Sequence, residues 1–238
     1  MGRSFENRKS AMAKTSNMKA KLYSGYGKEI YMTAKSGGID PNANLSLKHL
    51  VDRAKKEQVP AHVIDKAIDK AKGGSGEDYH PTQYEGYGPG GCMVIVDCLT
   101  DNVNRSIGDV RNCFTKNKCK LGAPGSVSHS FDRLAVLTFI GDEEAVLEAL
   151  IMGDVDVKEI EVSGEHLSVY AADTDYFKAK KTLTDEFGEI DFEEDSILYV
   201  PQTSAEVTDP LDIENFEKLM AMLNDVDDVQ KIYHNAEL

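Results

Sequence analysis

The chain has 238 residues, 41% of them hydrophobic and 29% charged, with a formal net charge of −14. That balance belongs to a folded globular protein large enough for two or three cores, and it excludes collagenous, disordered and disulfide-framework classes. No apolar run approaches the roughly 18 residues that cross a bilayer, so no membrane partner is expected.

The charge is unevenly placed. Met1 to Gly76 carry 15 Lys and Arg against 7 Asp and Glu, whereas Glu77 to Leu238 carry 12 against 34. A basic head therefore precedes an acidic body, and a basic segment is the electrostatic footprint expected of a nucleic-acid contact. Its candidate contacts are Arg3, Arg8, Lys9, Lys14, Lys19, Lys21, Lys28, Lys35 and Lys55. Lys14, Lys21, Lys28 and Lys35 recur every seventh residue, nearly two helical turns, so those sharing a helix form one stripe able to track a phosphate backbone. Tyr23, Tyr26 and Tyr31 lie among them as possible stacking faces. The bland alternative is a solvated lysine face over a small tyrosine-covered core, and the stripe alone leaves the two evenly matched.

In chain order, Leu22, Tyr26, Ile30 and Thr33/Ala34 predict a helix ended by Ser36-Gly37-Gly38. A second helix is predicted from Leu45 to Glu57, and a third opens at Pro60 and stops at the glycine run Gly73-Gly74-Ser75-Gly76, which marks a domain boundary. Met93 to Leu99 predicts a strand, Val103, Ile107, Val110 and Phe114 a helix, and Ser126 to Phe131 a further strand. From Leu134 the order becomes strand, helix, two strands, helix and a strand near Ile190, the ferredoxin-like β-α-β-β-α-β sequence. A strand at Ile197 to Val200, a helix from Pro210 to Leu223 and a strand at Val229 to Tyr233 remain, and too few elements are left for a core of their own.

The expected fold is thus α+β and multidomain: an all-helical N-terminal domain (1–76), a discontinuous α+β domain (77–132 plus 196–238), and a ferredoxin-like α+β domain (133–195) inserted into it.

Little in the chain suggests catalysis. Gly86-Tyr87-Gly88-Pro89-Gly90-Gly91 leads into a strand instead of following one, and lacks the Lys-Ser/Thr ending of a phosphate loop, so a structural turn is favoured. Cys92, Cys98, Cys113 and Cys119 have no zinc spacing and read as reduced thiols, and no histidine pair stands at metal spacing. No serine elbow or distinguished carboxylate pair is present. Catalytic residues, metals and cofactors are therefore all expected to be none, and the protein is expected to be a non-enzyme. Thr100-Asp101-Asn102-Val103-Asn104-Arg105 suits a helix cap. With Arg111, Lys116, Lys118 and Lys120, Arg105 forms the one cationic island of the acidic body, a secondary nucleic-acid contact whose competing reading is a solvated face neutralised by nearby carboxylates. The acidic runs Glu193 to Asp195 and Asp225 to Asp228 read as solvated turns.

Several of these segments together resemble the YebC family, whose mitochondrial relatives include the translational activator of cytochrome c oxidase. They are Gly2-Arg3 with Asn7; Lys35-Ser36-Gly37-Gly38-Ile39-Asp40-Pro41 with Asn44; Ala54-Lys55; Tyr84-Glu85 with Gly86, Tyr87, Gly88, Pro89, Gly90 and Gly91; Leu99-Thr100 with Asp101, Asn102, Asn104 and Arg105; and Gly125-Ser126-Val127 with Phe131. Val226 to Asn235 resembles the ending of the YeeN-like branch. Phe5 stands where the family usually has tryptophan, and Lys118-Cys119-Lys120 where it usually has a glycine pair. The resemblance implies three domains and a cytoplasmic bacterial protein, there being no room for a presequence before Gly2. It implies a regulator of gene expression: a DNA-binding transcriptional regulator, or alternatively a translation factor binding ribosomal RNA on the ribosome and assisting elongation at proline-rich stretches. A monomer is expected.

Overall fold

The computed structural model describes residues 16–73 and 78–238. Contacts divide these into two units, one of residues 16–73, 78–128 and 204–238 and the other of residues 129–203.

The first unit opens with three helices, α1 (Ser16–Gly37), α2 (Leu45–Lys56) and α3 (Ala61–Lys72). Tyr26, Ile30 and Ala34 lie on one side of α1 and are buried with Leu47, Leu50 and Ala54 of α2 and Ile64 and Ala67 of α3. The helix stops where Gly38 turns left-handed at φ 98°, a conformation that suits glycine. Asn44 joins the two helices: its Oδ1 accepts from the Leu47 amide at 3.1 Å, capping α2, while its Nδ2 donates to the carbonyls of Thr33 at 3.1 Å and Gly38 at 2.9 Å.

The same unit continues with β1 (His80–Tyr87), β2 (Met93–Thr100), α4 (Val103–Lys116) and β3 (Lys120–Leu121). Strand β4 (Phe131–Ile140), helix α5 (Glu143–Met152), strands β5 (Val157–Ser163) and β6 (His166–Ala172), helix α6 (Tyr176–Phe187) and strand β7 (Glu194–Pro201) form the second unit. The chain then returns through β8 (Ala205–Glu206), α7 (Pro210–Asp225), β9 (Val229–His234) and β10 (Ala236–Glu237) to complete the first.

In the first unit the sheet order is β3-β1-β2-β9, with β8 and β10 pairing separately. Val94 and Val96 of β2, Phe114 of α4, and Phe216, Leu219 and Leu223 of α7 form its core. Gly86 is required here: a Cβ on it would stand 2.5 Å from the Phe114 ring and 2.9 Å from the Lys120 carbonyl oxygen, so any side chain would push β3 off the sheet. The glycine run is a β1–β2 turn with Gly90 and Gly91 at positive φ.

The second unit has the antiparallel order β5-β6-β4-β7 of a ferredoxin-like fold, around Leu137, Phe139, Leu150, Leu167, Val169 and Leu183. The fold is therefore a helical head followed by two α+β layers, one interrupting the other. Two expectations need correction. Residues 197–200, assigned above to the discontinuous domain, lie in β7, which pairs with β4 from Phe131↔Pro201 to Thr138↔Glu194, and Ile190 lies in the loop before it. Gly188, at φ 80°, ends α6, and the chain needs the next five residues to return to the sheet. Of the strand expected at Ser126 to Phe131, only Phe131 is in a strand, as the first residue of β4; the rest is a loop with a short 3-10 turn at Ser128–Ser130, and the first unit's sheet takes β3 in its place, antiparallel to β1.

Candidate nucleic-acid interface

Each heptad lysine of α1 has a partner within the fold, Lys21 and Lys28 partly or largely withdrawn from solvent and Lys35 exposed. Lys21 Nζ donates to the Asn224 carbonyl at 2.5 Å. Lys28 Nζ lies 3.3 Å from the Asp228 carboxylate and 3.1 Å from the Asp227 carbonyl, with only 14% of its side chain exposed. Lys35 pairs with Asp78 and lies over the Tyr31 ring. Of the lysine row expected from the sequence, Lys21 and Lys28 meet the C-terminal end of α7 and the turn after it, while Lys35 meets Asp78 just before β1. The tyrosines likewise serve the head, Tyr26 accepting from Arg53 at 3.2 Å and Tyr31 stacking edge-on against Tyr79.

Asp228 is the centre of this clamp. Its carboxylate is buried and accepts from Thr100 Oγ1 at 2.8 Å, from Arg105 at 2.9 Å and from Lys28. Burial acts to raise its pKa, but the hydrogen bonds from Arg105 and Thr100 and the Lys28 charge outweigh that and hold it below the ordinary 3.8. Asn102 caps α4 by accepting from the Arg105 amide at 3.1 Å, and Asp101 accepts at 2.6 Å from the same Arg105 Nη2 that reaches Asp228. Arg105 is thus engaged within the fold, and Asn104 is exposed beside it. Sequence reading missed Asp228 because it ends the run Asp225 to Asp228, whose other aspartates, Asp225 and Asp227, are exposed.

A second buried carboxylate shapes the edge of the sheet. Glu85 accepts from the amides of Gly125 (2.7 Å), Val127 (2.7 Å) and Ser128 (2.9 Å), so the loop after β3 wraps an anion that the chain itself supplies. Burial would raise its pKa; the three amides together lower it below 4.5.

The cations turned outward are elsewhere. Arg111, Lys116, Lys118 and Lys120 are all exposed, and their side chains meet no acceptor among the described residues. Tyr87 is paired across the β1–β3 ladder with Lys120 and is 41% exposed, its hydroxyl donating to the Ser126 carbonyl at 2.9 Å. Lys19 and Lys55 are exposed on the head, Lys55 within 4.0 Å of Asp52. Arg3, Arg8, Lys9 and Lys14 lie outside the described residues. Gly86, Gly88 and Pro89 build the turn beside Tyr87, where a Cβ on Gly88 would meet Cys92 Sγ at 2.6 Å.

The thiols are poor nucleophiles. Burial pushes Cys92 up to about 12 and Cys98 and Cys119 to about 11. Burial also lowers Lys21, to about 8, against the raising influence of Asp227 and Asp225. Its folded pKa lies below the unfolded 10.5, so the unfolded chain holds more protons between those values, and this lysine makes stability rise with pH from about 8 to 10.5. Denaturation of the native chain and of Lys21→Met across that window should show the rise in the former only; equal slopes would refute it.

A helical head clamped by its lysines to a split α+β domain that carries a ferredoxin-like insertion defines a class of protein with a cationic sheet edge. Residues 3–74 match the TACO1/YebC N-terminal domain, and residues 79–236 match the TACO1/YebC second and third domains. The chain belongs to the TACO1/YebC family. A protein of Marinomonas sp. named "Probable transcriptional regulatory protein" is 63% identical over 238 residues, covering 100% of both chains. One of the same name from Alcanivorax borkumensis is 60% identical over 239 residues, again with 100% of both covered. The crystal structure of a conserved hypothetical protein from Aquifex aeolicus is similar with a TM-score of 0.80 and 31% identity, over 94% of this chain and 93% of that one.

Proposed function

We propose that this protein is a non-enzymatic, cytoplasmic regulator of gene expression that binds nucleic acid through the edge formed by α4 and β3. The observation that carries this reading is the contrast between cation sets: Lys21, Lys28, Lys35 and Arg105 are held by acceptors within the fold, while Arg111, Lys116, Lys118 and Lys120 project into solvent. Lys19 and Lys55 add exposed charge on the head. The relatives' names support control at the level of transcription, and DNA is the partner that such a role would call for.

One feature favours the alternative of a ribosome-associated translation factor that binds ribosomal RNA and assists elongation at proline-rich stretches. Tyr87 offers an open aromatic face beside Lys120, the pairing that holds unpaired bases. The three lysines suit backbone contact better than base readout in a groove.

Binding of labelled single-stranded RNA, single-stranded DNA and duplex DNA at several salt concentrations tests the reading. Four phosphate contacts give a log–log salt slope of about −3 on single strands, and Lys116, Lys118 and Lys120 changed together to Gln should shrink it by about 2. Tyr87→Ala should weaken single-strand binding about tenfold, and Tyr87→Phe hardly at all. An unchanged slope in the triple variant would overturn the proposal. A preference for one duplex sequence over competitor DNA selects the transcriptional reading. Cosedimentation with ribosomes at physiological salt selects the other.

A further inference from the structure

The net charge of the chain resides in one unit. Residues 129–203 contain 19 Asp and Glu against 5 Lys and Arg, a net of −14, whereas the remaining residues balance at 22 against 22. Within this unit lies a groove of about 440 Å³ between α5 and β5. Its apolar lining includes Leu147 and Ile151 from the helix and Val157 and Ile160 from the strand, with Glu143 and Glu159 also lining it. Ile151 is 63% exposed, and Val162, two residues beyond Ile160 on the same face of the strand, is 52% exposed. The lysine in the lining, Lys158, is held by Asp156 at 2.7 Å.

Strand β5 is an end of its sheet: among the described residues it pairs with β6 alone, leaving its other edge to accept a further strand. A strand added there would carry its alternate side chains to opposite faces. One set would meet Leu147, Ile151 and Val162; the other would lie on the face carrying Glu161, which accepts from Tyr170 at 2.9 Å.

We infer that the α5/β5 groove docks an extended protein segment rich in lysine or arginine at alternate positions and apolar between them, added as a fifth strand beside β5. Charge complementarity selects this occupant. A second copy of the unit would bring its own charge of −14 against the first, and a nucleic acid would be repelled by the same field. The inference is independent of the α4–β3 reading, because it concerns a different unit and the opposite sign of charge.

The test uses the full chain, isotopically labelled, with a ten-residue peptide of alternating Lys and Val at about 150 mM salt, followed by NMR. Expected are shifts at the β5 amides and the Leu147 and Ile151 methyls, slowed hydrogen exchange along β5, and at least tenfold weaker binding of a Glu-Val peptide, of a peptide with five Lys followed by five Val, and of the Ile151→Glu variant. Ile151 is exposed enough for that variant to fold, which its unperturbed core resonances would verify. Equal binding of the block peptide would show plain charge attraction and overturn the inference. So would shifts that spread over the acidic surface but spare β5, undiminished binding to Ile151→Glu, or β5 shifts that appear on concentrating the protein alone, which would make the occupant a second copy.

Discussion

Replacing Asp228 with Asn should destabilise the protein by about 3 kcal/mol, because the change leaves Lys28 and Arg105 facing a neutral amide in a largely buried site. The Arg105 side chain is 48% exposed, so water recovers part of the loss and the figure sits at the low end for a broken buried pair. For a chain of this length the midpoint of thermal unfolding should fall by roughly 6–12 °C. Asp227→Asn is the matched control: that residue is exposed and offers Lys28 its carbonyl, so its loss should change stability by less than about 0.5 kcal/mol. Equal midpoints for the two variants would show that Asp228 is not the keystone described above.

The second large effect belongs to Glu85. Glu85→Gln keeps the shape of the side chain but sets an amide N–H₂ against one or two of the backbone N–H groups that the carboxylate accepts. A cost of about 2–4 kcal/mol follows from leaving such buried donors opposed. The loop should also loosen, and with it β3 and Lys120, because the Gly122 amide donates to the Glu85 carbonyl at 2.8 Å. Weaker nucleic-acid binding at a temperature where the variant remains folded would accompany the loss of stability. The pH dependence has a definite sign. The folded pKa values of Glu85 and Asp228 lie below their ordinary values of 4.5 and 3.8. Their contribution to stability is therefore complete above those values and disappears as the pH falls through the folded ones. Acid unfolding of Glu85→Gln should be shallower than that of the native chain; an unchanged acid limb would count against this assignment.

Periodicity made much of the fold legible. Tyr26, Ile30 and Ala34 mark the inward face of α1, and the strand and helix order from Leu134 onward identifies the ferredoxin-like unit. What periodicity cannot supply is the partner of a face. Lys14, Lys21, Lys28 and Lys35 share a phase whether phosphate or an aspartate lies opposite, and only tertiary structure brings Asp228, 200 residues away, to Lys28. Ile197 to Val200 alternate as any half-buried strand does, so periodicity does not say which sheet takes them, and the ladder with β4 is a long-range pairing with no local signature. Glu85 stands beside a glycine-rich turn, and nothing local in that motif signals that its carboxylate is buried against three amides of a later loop. The cationic island, by contrast, was visible, since five cations between Arg105 and Lys120 face a single acid, Asp109, in an otherwise acidic stretch. The structure alone shows that Arg105 belongs to the clamp and the other four to the surface.

Two sets of lysines, on this proposal, divide the labour of stability and nucleic-acid contact. That division is tested most directly by measuring, side by side, the thermal midpoint and the salt slope of nucleic-acid binding for two triple variants. Lys21, Lys28 and Lys35 changed to Gln should lower the midpoint while leaving the slope intact. Lys116, Lys118 and Lys120 changed to Gln should flatten the slope by about 2 at an unaltered midpoint. The reverse pattern, with the α1 lysines setting the slope and the α4–β3 lysines setting stability, would contradict it.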